Sequence, residues 1–145
     1  MQTSPVFGVK EDGIEYVKRT GSYAVICKDE TGEVALVKNE KGHYFLPGGG
    51  IKEDESLEGC IRRECIEEIG FKVNIKQCIG SAIQYFQSPN NHEYYLSEAY
   101  FYICNREEQQ NPAEKGNALV WMKPIEAIKW LVHEHHKWAI LNSLT

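Results

Sequence analysis

Glu64, Glu67 and Glu68 stand at positions i, i+3 and i+4. On an α-helix, at about 100° per residue, three such carboxylates share roughly a third of the circumference. Like charges at this spacing oppose an isolated helix by about 0.2–0.5 kcal/mol per pair. A helix that keeps them together needs a reason, and a hard divalent cation is one. Mg²⁺ or Mn²⁺ takes oxygen ligands: a few carboxylates, waters and the oxygens of a bound phosphate. Glu55 adds a fourth acid just before the helix, on the return of a loop that begins Pro47-Gly48-Gly49-Gly50. Without a Cβ in the way, the Gly49 carbonyl can approach a metal. Arg63 precedes the first acid, points to a different face and could orient a carboxylate through a bidentate pair. The competing explanation is a solvated acidic face on which Arg62, Arg63 and Glu67 form surface pairs. It has no use for Gly49, Glu55 and Gly70 at their positions.

The helix that must present these acids is marked at both ends. Ser56 is a fitting N-cap and Gly70 a fitting C-terminal stop. Leu57, Ile61, Cys65 and Ile69 recur at four-residue steps, which predicts an apolar stripe on a helix over 57–69. Upstream, residues 14–20, 22–27 and 33–38 read as strands, the last two joined by a turn at 29–32. A short strand at 43–46 runs into the glycines, which read as a tight loop and not as strand. Downstream, strands are expected at 72–86, with a bend near Gly80, at 93–105 and at 118–122. A loop fills 88–92 and a polar loop 106–117. Pro124 opens a C-terminal helix reaching about 141. Strands on both sides of a central helix predict an α/β fold, a mixed β-sheet sandwiched between helices.

The segment 49–71, GGIKEDESLEGCIRRECIEEIGF, resembles the signature of the Nudix hydrolase family, also called MutT-like proteins. That signature reads Gly, five residues, Glu, seven residues, Arg-Glu, an aliphatic residue, any residue, Glu-Glu, any residue, Gly, an aliphatic residue. Gly49, Glu55, Arg63, Glu64, Glu67, Glu68 and Gly70 match it in turn. Cys65 and Phe71 replace aliphatic residues and remain apolar. The resemblance implies an α/β/α sandwich with a loop–helix–loop catalytic motif. It implies Mg²⁺-dependent (or Mn²⁺-dependent) attack of water on phosphorus in a nucleoside diphosphate linked to another moiety. It makes Glu64, Glu67 and Glu68 metal ligands, helped by the Gly49 carbonyl, with Arg63 and Glu55 bracing them. The general base is Glu64 or an acid outside the motif, for which Glu114 is the choice. Tyr85 and Phe86 lie where relatives often place specificity residues, and either could stack on a base. The alternative function is a catalytically silent, nucleotide-sensing Nudix-fold module. An isoprenoid-diphosphate isomerase shares the fold but usually needs a longer chain.

The bulk properties are compatible with this. A chain of 145 residues suits one domain, 1–145. Its net charge of −5 argues against a nucleic-acid polymer as partner and leaves a small nucleotide-type molecule open. No apolar run is long enough for a membrane span, and residues 1–10 lack a signal-peptide pattern. Five cysteines fit no zinc spacing and are expected to be free, buried and reduced, in the cytoplasm. A homodimer is possible, since many members of the family pair. His133, His135 and His136 lack the second histidine of a metalloprotease motif, because position 137 is lysine. They are expected on the polar side of the C-terminal helix.

Overall fold

A computed structural model describes residues 4–109 and 116–144. Its core follows from strands that are apolar on both faces. In β3 (Val34–Lys38), Val34 and Leu36 enter one core cluster while Ala35 and Val37 enter another. β2 (Val17–Ile26) divides in the same way, Val25 to one side and Ala24 and Ile26 to the other. Alternation with both sides apolar requires cover on both sides. α1 (Leu57–Ile69) supplies one cover through Ile61, Cys65 and Ile69. α2 (Pro124–Trp130) and α3 (Glu134–Ser143) supply the other through Ala127, Ala139 and Ile140. Full burial of an aliphatic side chain contributes about 1.5–3 kcal/mol, so these two clusters hold the layers together.

The result is an α/β/α sandwich. Its mixed sheet has five strands in the order β1 (Val6–Phe7), β6 (Phe71–Gln87), β7 (Tyr94–Gln109), β2 and β5 (Gly48–Gly50). β1 runs parallel to β6, and β2 parallel to β7; the other pairs are antiparallel. A smaller antiparallel sheet has the order β4 (Tyr44–Phe45), β3, β8 (Ala118–Met122). α1 occupies the predicted residues. The Ser56 hydroxyl accepts the Gly59 amide at 2.9 Å, and Gly70 closes the helix at φ 73°. β6 carries register shifts, one of them between Cys78 and Gly80, which is the expected bend.

Five expectations need correction. The glycines are not a loop: Gly48–Gly50 is an edge strand, because β2 offers it a ladder in which Gly50 faces Gly21. Glycine on both strands permits the close approach. Pairing with β7 along its whole length makes 17–26 one strand instead of two. β7 continues to Gln109, past the predicted end of its strand, because β6 pairs with it that far. The C-terminal helix is broken in two. The Tyr44 carbonyl of β4 accepts the Val132 amide at 3.1 Å, and Leu131 turns extended while buried in the core. Of the cysteines, all free, Cys60, Cys65 and Cys104 are buried, whereas Cys27 and Cys78 are exposed.

The β2–β5 crossing makes a first prediction. A Cβ on Gly21 would overlap the Gly49 carbonyl oxygen, a backbone atom with little freedom to yield. Gly21→Ala should destabilise by about 2 kcal/mol, as overpacking of a filled site does. Thermal unfolding would show it as a midpoint roughly 5 °C lower. An unchanged midpoint would mean that the two strands are not so closely apposed.

Candidate active site

Arg63 is the hub of the acidic cluster. Its Nε and Nη2 donate to the two oxygens of Glu55 at 2.7 and 2.9 Å, the bidentate pair expected from sequence. Its Nη1 donates to Glu64 at 2.8 Å and to Glu67 at 3.3 Å. Its Nη2 also reaches the Gly50 carbonyl at 3.2 Å. Arg63 therefore does not sit apart from the acids; it ties helix α1 to the β5 strand and to the return of the loop. These hydrogen bonds, helped by the Lys52 amide, hold the Glu55 carboxyl down at about 2. Arg62 by contrast meets only Glu58, at 3.8 Å on the surface.

Glu64 and Glu67 converge on one nitrogen of Arg63, Nη1. Burial first, then the neighbouring Glu67, raise the Glu64 carboxyl to about 7. The Glu64 carboxylate lies directly against Gly49, where any Cβ would displace it. Glu68 is turned to the loop and accepts the Gly48 amide at 2.8 Å. The Gly49 carbonyl accepts the Cys60 thiol at 3.3 Å. Among the described residues, no three His, Cys, Asp or Glu side chains surround one point as a finished metal cage. The donor set still suits a hard divalent cation: all oxygen, two carboxylates side by side, a glycine carbonyl beside them and Glu68 one helical step away. Glu114 lies outside the described residues.

The acidic cluster reaches a cleft of about 130 Å³ only through Gly50, whose carbonyl accepts from Arg63; none of Glu55, Glu64, Glu67 and Glu68 lines it. Arg19, Thr20, Tyr23, Phe86, Tyr95 and His133 line the rest. A second cavity, about 330 Å³, continues beyond Phe86 and His133 towards Phe45, Gln87, Pro89 and Asn90. Phe86 thus stands between two openings. Its neighbour Tyr85 faces the other side of β6 and packs edge-on against Tyr16 at 4.9 Å, lining neither. The histidines are not on a polar helix face. His135 and His136 are 1 % and 0 % exposed, and His133, His135 and His136 pack against one another at 4.9–5.4 Å. The break between α2 and α3 turns them inward. Sequence reading missed Arg19, Tyr95 and His133 at the cleft. No local pattern marks them, because β2, β7 and the α2–α3 junction meet only in three dimensions.

Similarity to known proteins can now be set beside this geometry. The NUDIX domain family model matches residues 18–141. Nudix hydrolase 17, mitochondrial, of Arabidopsis thaliana is 30% identical over 96 residues, which is 66% of this chain and 52% of that protein. The chain thus spans about half the length of the curated relatives it matches. Among solved structures, a NUDIX hydrolase from Nitrosomonas europaea superposes with TM-score 0.70 at 18% identity, covering 88% of this chain and 89% of that one. A MutT protein from Methanosarcina mazei Go1 does so with TM-score 0.68 at 20% identity, covering 90% and 95%. No described helix is long and apolar enough to cross a membrane. The Arg63-centred acids, the glycine strand that receives them and the family match over most of the chain agree: the chain belongs to the NUDIX domain family.

Proposed function

We propose that this chain is a Mg²⁺- or Mn²⁺-dependent pyrophosphohydrolase. In this reading it cleaves the diphosphate linkage of a nucleoside diphosphate joined to another group. The observation that carries the proposal is Arg63 bracing Glu55, Glu64 and Glu67 against the glycine strand. That arrangement spends four hydrogen-bonding contacts on fixing carboxylates that would otherwise repel one another.

Glu64, Glu67 and Glu68 would hold the cation, with the Gly49 carbonyl. When bound, the cation supplies charge neutralisation of the diphosphate and lowers the pKa of a coordinated water. Arg63 and Glu55 act as positioning residues, since Glu55 binds Arg63 and not the cleft. Glu64 is the proton acceptor in this scheme, being the acid whose carboxylate lies against Gly49. Phe86 offers a ring face beside the cleft on which a base can stack, a contact worth about 1–3 kcal/mol per base in nucleic-acid complexes. Five free cysteines suit a reducing compartment such as the cytoplasm.

The test is a panel of ADP-ribose, nucleotide sugars, dinucleoside polyphosphates and nucleoside triphosphates, assayed with Mg²⁺, with Mn²⁺ and with EDTA. Metal-dependent release of a nucleoside mono- or diphosphate from at least one member is expected. Turnover that persists in EDTA, or no turnover on any member, would overturn the reading.

A further inference from the structure

We propose that Arg19, held on the ring of Tyr95, is a seat for a second phosphate of the substrate, on the wall of the cleft that Gly50 of the glycine strand also lines. The inference rests on the diphosphate reading above and extends it to a residue outside the 49–71 motif.

Four observations carry it. Arg19 is exposed on β2 and lines the same cleft as Gly50, whose carbonyl accepts from the Arg63 that binds the acids. It has no carboxylate in ion-pair range among the described residues. Its neighbour Lys18 does, with Glu98 at 3.8 Å. The cation-bearing residue turned to the cleft is the one left without a counter-charge. The guanidinium is also held in place. It lies 4.2 Å over the Tyr95 ring, and its Nη2 donates to the Tyr95 hydroxyl at 3.2 Å. Tyr95 is itself 5 % exposed and fixed by the Asn91 amide at 2.9 Å. Finally, Tyr23 lines the same cleft, and the negative charges of Glu68 and Glu64 act on its hydroxyl in one sense and Arg19 in the other.

A planar fork held on an aromatic ring, with free N–H groups towards a cleft, recognises a tetrahedral oxyanion through paired, charge-assisted hydrogen bonds. Stacking on Tyr95 removes part of the rotamer freedom that binding would otherwise cost. The charges of the acids and of Arg19 then suit a ligand with two phosphate groups: one near the cation-holding carboxylates, the other at Arg19. A substrate with a single phosphate would leave this seat empty.

The probe is inorganic pyrophosphate, titrated calorimetrically into the full chain in EDTA at low salt, so that no turnover is involved. The wild type should bind it, and Arg19→Gln should weaken binding at least about tenfold, as loss of a charged hydrogen-bonding partner does. Arg19→Lys keeps the charge without the fork and should fall between them. Both variants should unfold at the wild-type midpoint, because Arg19 is exposed. The seat is overturned if the wild type binds no pyrophosphate, or if Arg19→Gln changes the Kd less than threefold. It is equally overturned if affinity falls only together with the unfolding midpoint and lysine restores neither. Arg19-dependent binding in a chain that hydrolyses nothing in the panel would refute the hydrolase and leave the seat intact. Metal-dependent hydrolysis whose KM ignores Arg19→Gln would do the reverse.

Discussion

Glu67→Gln is expected to lower kcat by about a thousandfold, the scale reached when a charge-stabilising group at a reacting centre is lost. The substitution changes little volume and removes one negative charge from the Glu64–Glu67 pair, which shares the Nη1 of Arg63. The effect on folding has a definite sign. Glu64 is raised to about 7, by burial and then by Glu67, so neutralising position 67 relieves strain between the two acids. The thermal midpoint should therefore hold or rise slightly, while affinity for Mn²⁺, measured by the signal of the free ion, falls. That combination separates the proposed role from a structural one. Were Glu67 only a strut for Arg63, the variant would lose stability and keep Mn²⁺ affinity and turnover. A kcat within tenfold of wild type would sink the claim that Glu67 holds the catalytic cation.

The acidic cluster was legible because it is local. Ser56, Gly70 and the stripe at Ile61, Cys65 and Ile69 fix one helix, and a helix fixes which carboxylates are neighbours. A bidentate pair for Arg63 could be anticipated, but not its partner, Glu55, since Glu55 precedes the helix and helix geometry does not place it. What was not legible depends on partners far along the chain. The glycines become a strand only because β2 lies beside them. The C-terminal helix breaks at Leu131 without glycine or proline, because a carbonyl of β4 claims the Val132 amide. The apolar spacing of Ile128, Leu131 and Val132 reads as continuous helix, and nothing local contradicts it. Tyr85 and Phe86 were equivalent in sequence; alternation across the strand sends Phe86 to the cleft and Tyr85 to Tyr16.

The histidines, misjudged as surface residues for the same reason, make the second large prediction: the fold is acid-labile between pH 6.5 and about 4. Burial pushes His133 down to about 4 and His135 to about 3, and it pushes His136 well below its ordinary value. Each is neutral in the fold and takes up a proton at 6.5 when unfolded. The unfolded state thus binds more protons as pH falls, and stability drops with it. At 1.36 kcal/mol per pH unit, moving from 6.5 to 5 costs about 2 kcal/mol for each of His133 and His135. His136 adds to this: its Nδ1 accepts the Leu46 amide at 3.1 Å, so protonating that atom would also break a buried bond. His135 is held at Nε2 by the Ser97 hydroxyl at 3.0 Å, leaving its buried Nδ1 without a partner to share a charge. Glu64 works in the opposite direction, since a raised carboxyl is relieved as pH falls, but it is one group against three. Urea denaturation should accordingly give a stability several kcal/mol lower at pH 5 than at pH 7, a large share of a typical domain's total. In His136→Asn the side-chain oxygen can still accept the Leu46 amide, and the chain loses one proton-binding site. This variant should start less stable at pH 7 because of the smaller side chain, yet decline less steeply. Equal stabilities at pH 5 and 7 in the wild type would show that the histidine cluster is open to water, and with it the floor of the cleft that His133 lines.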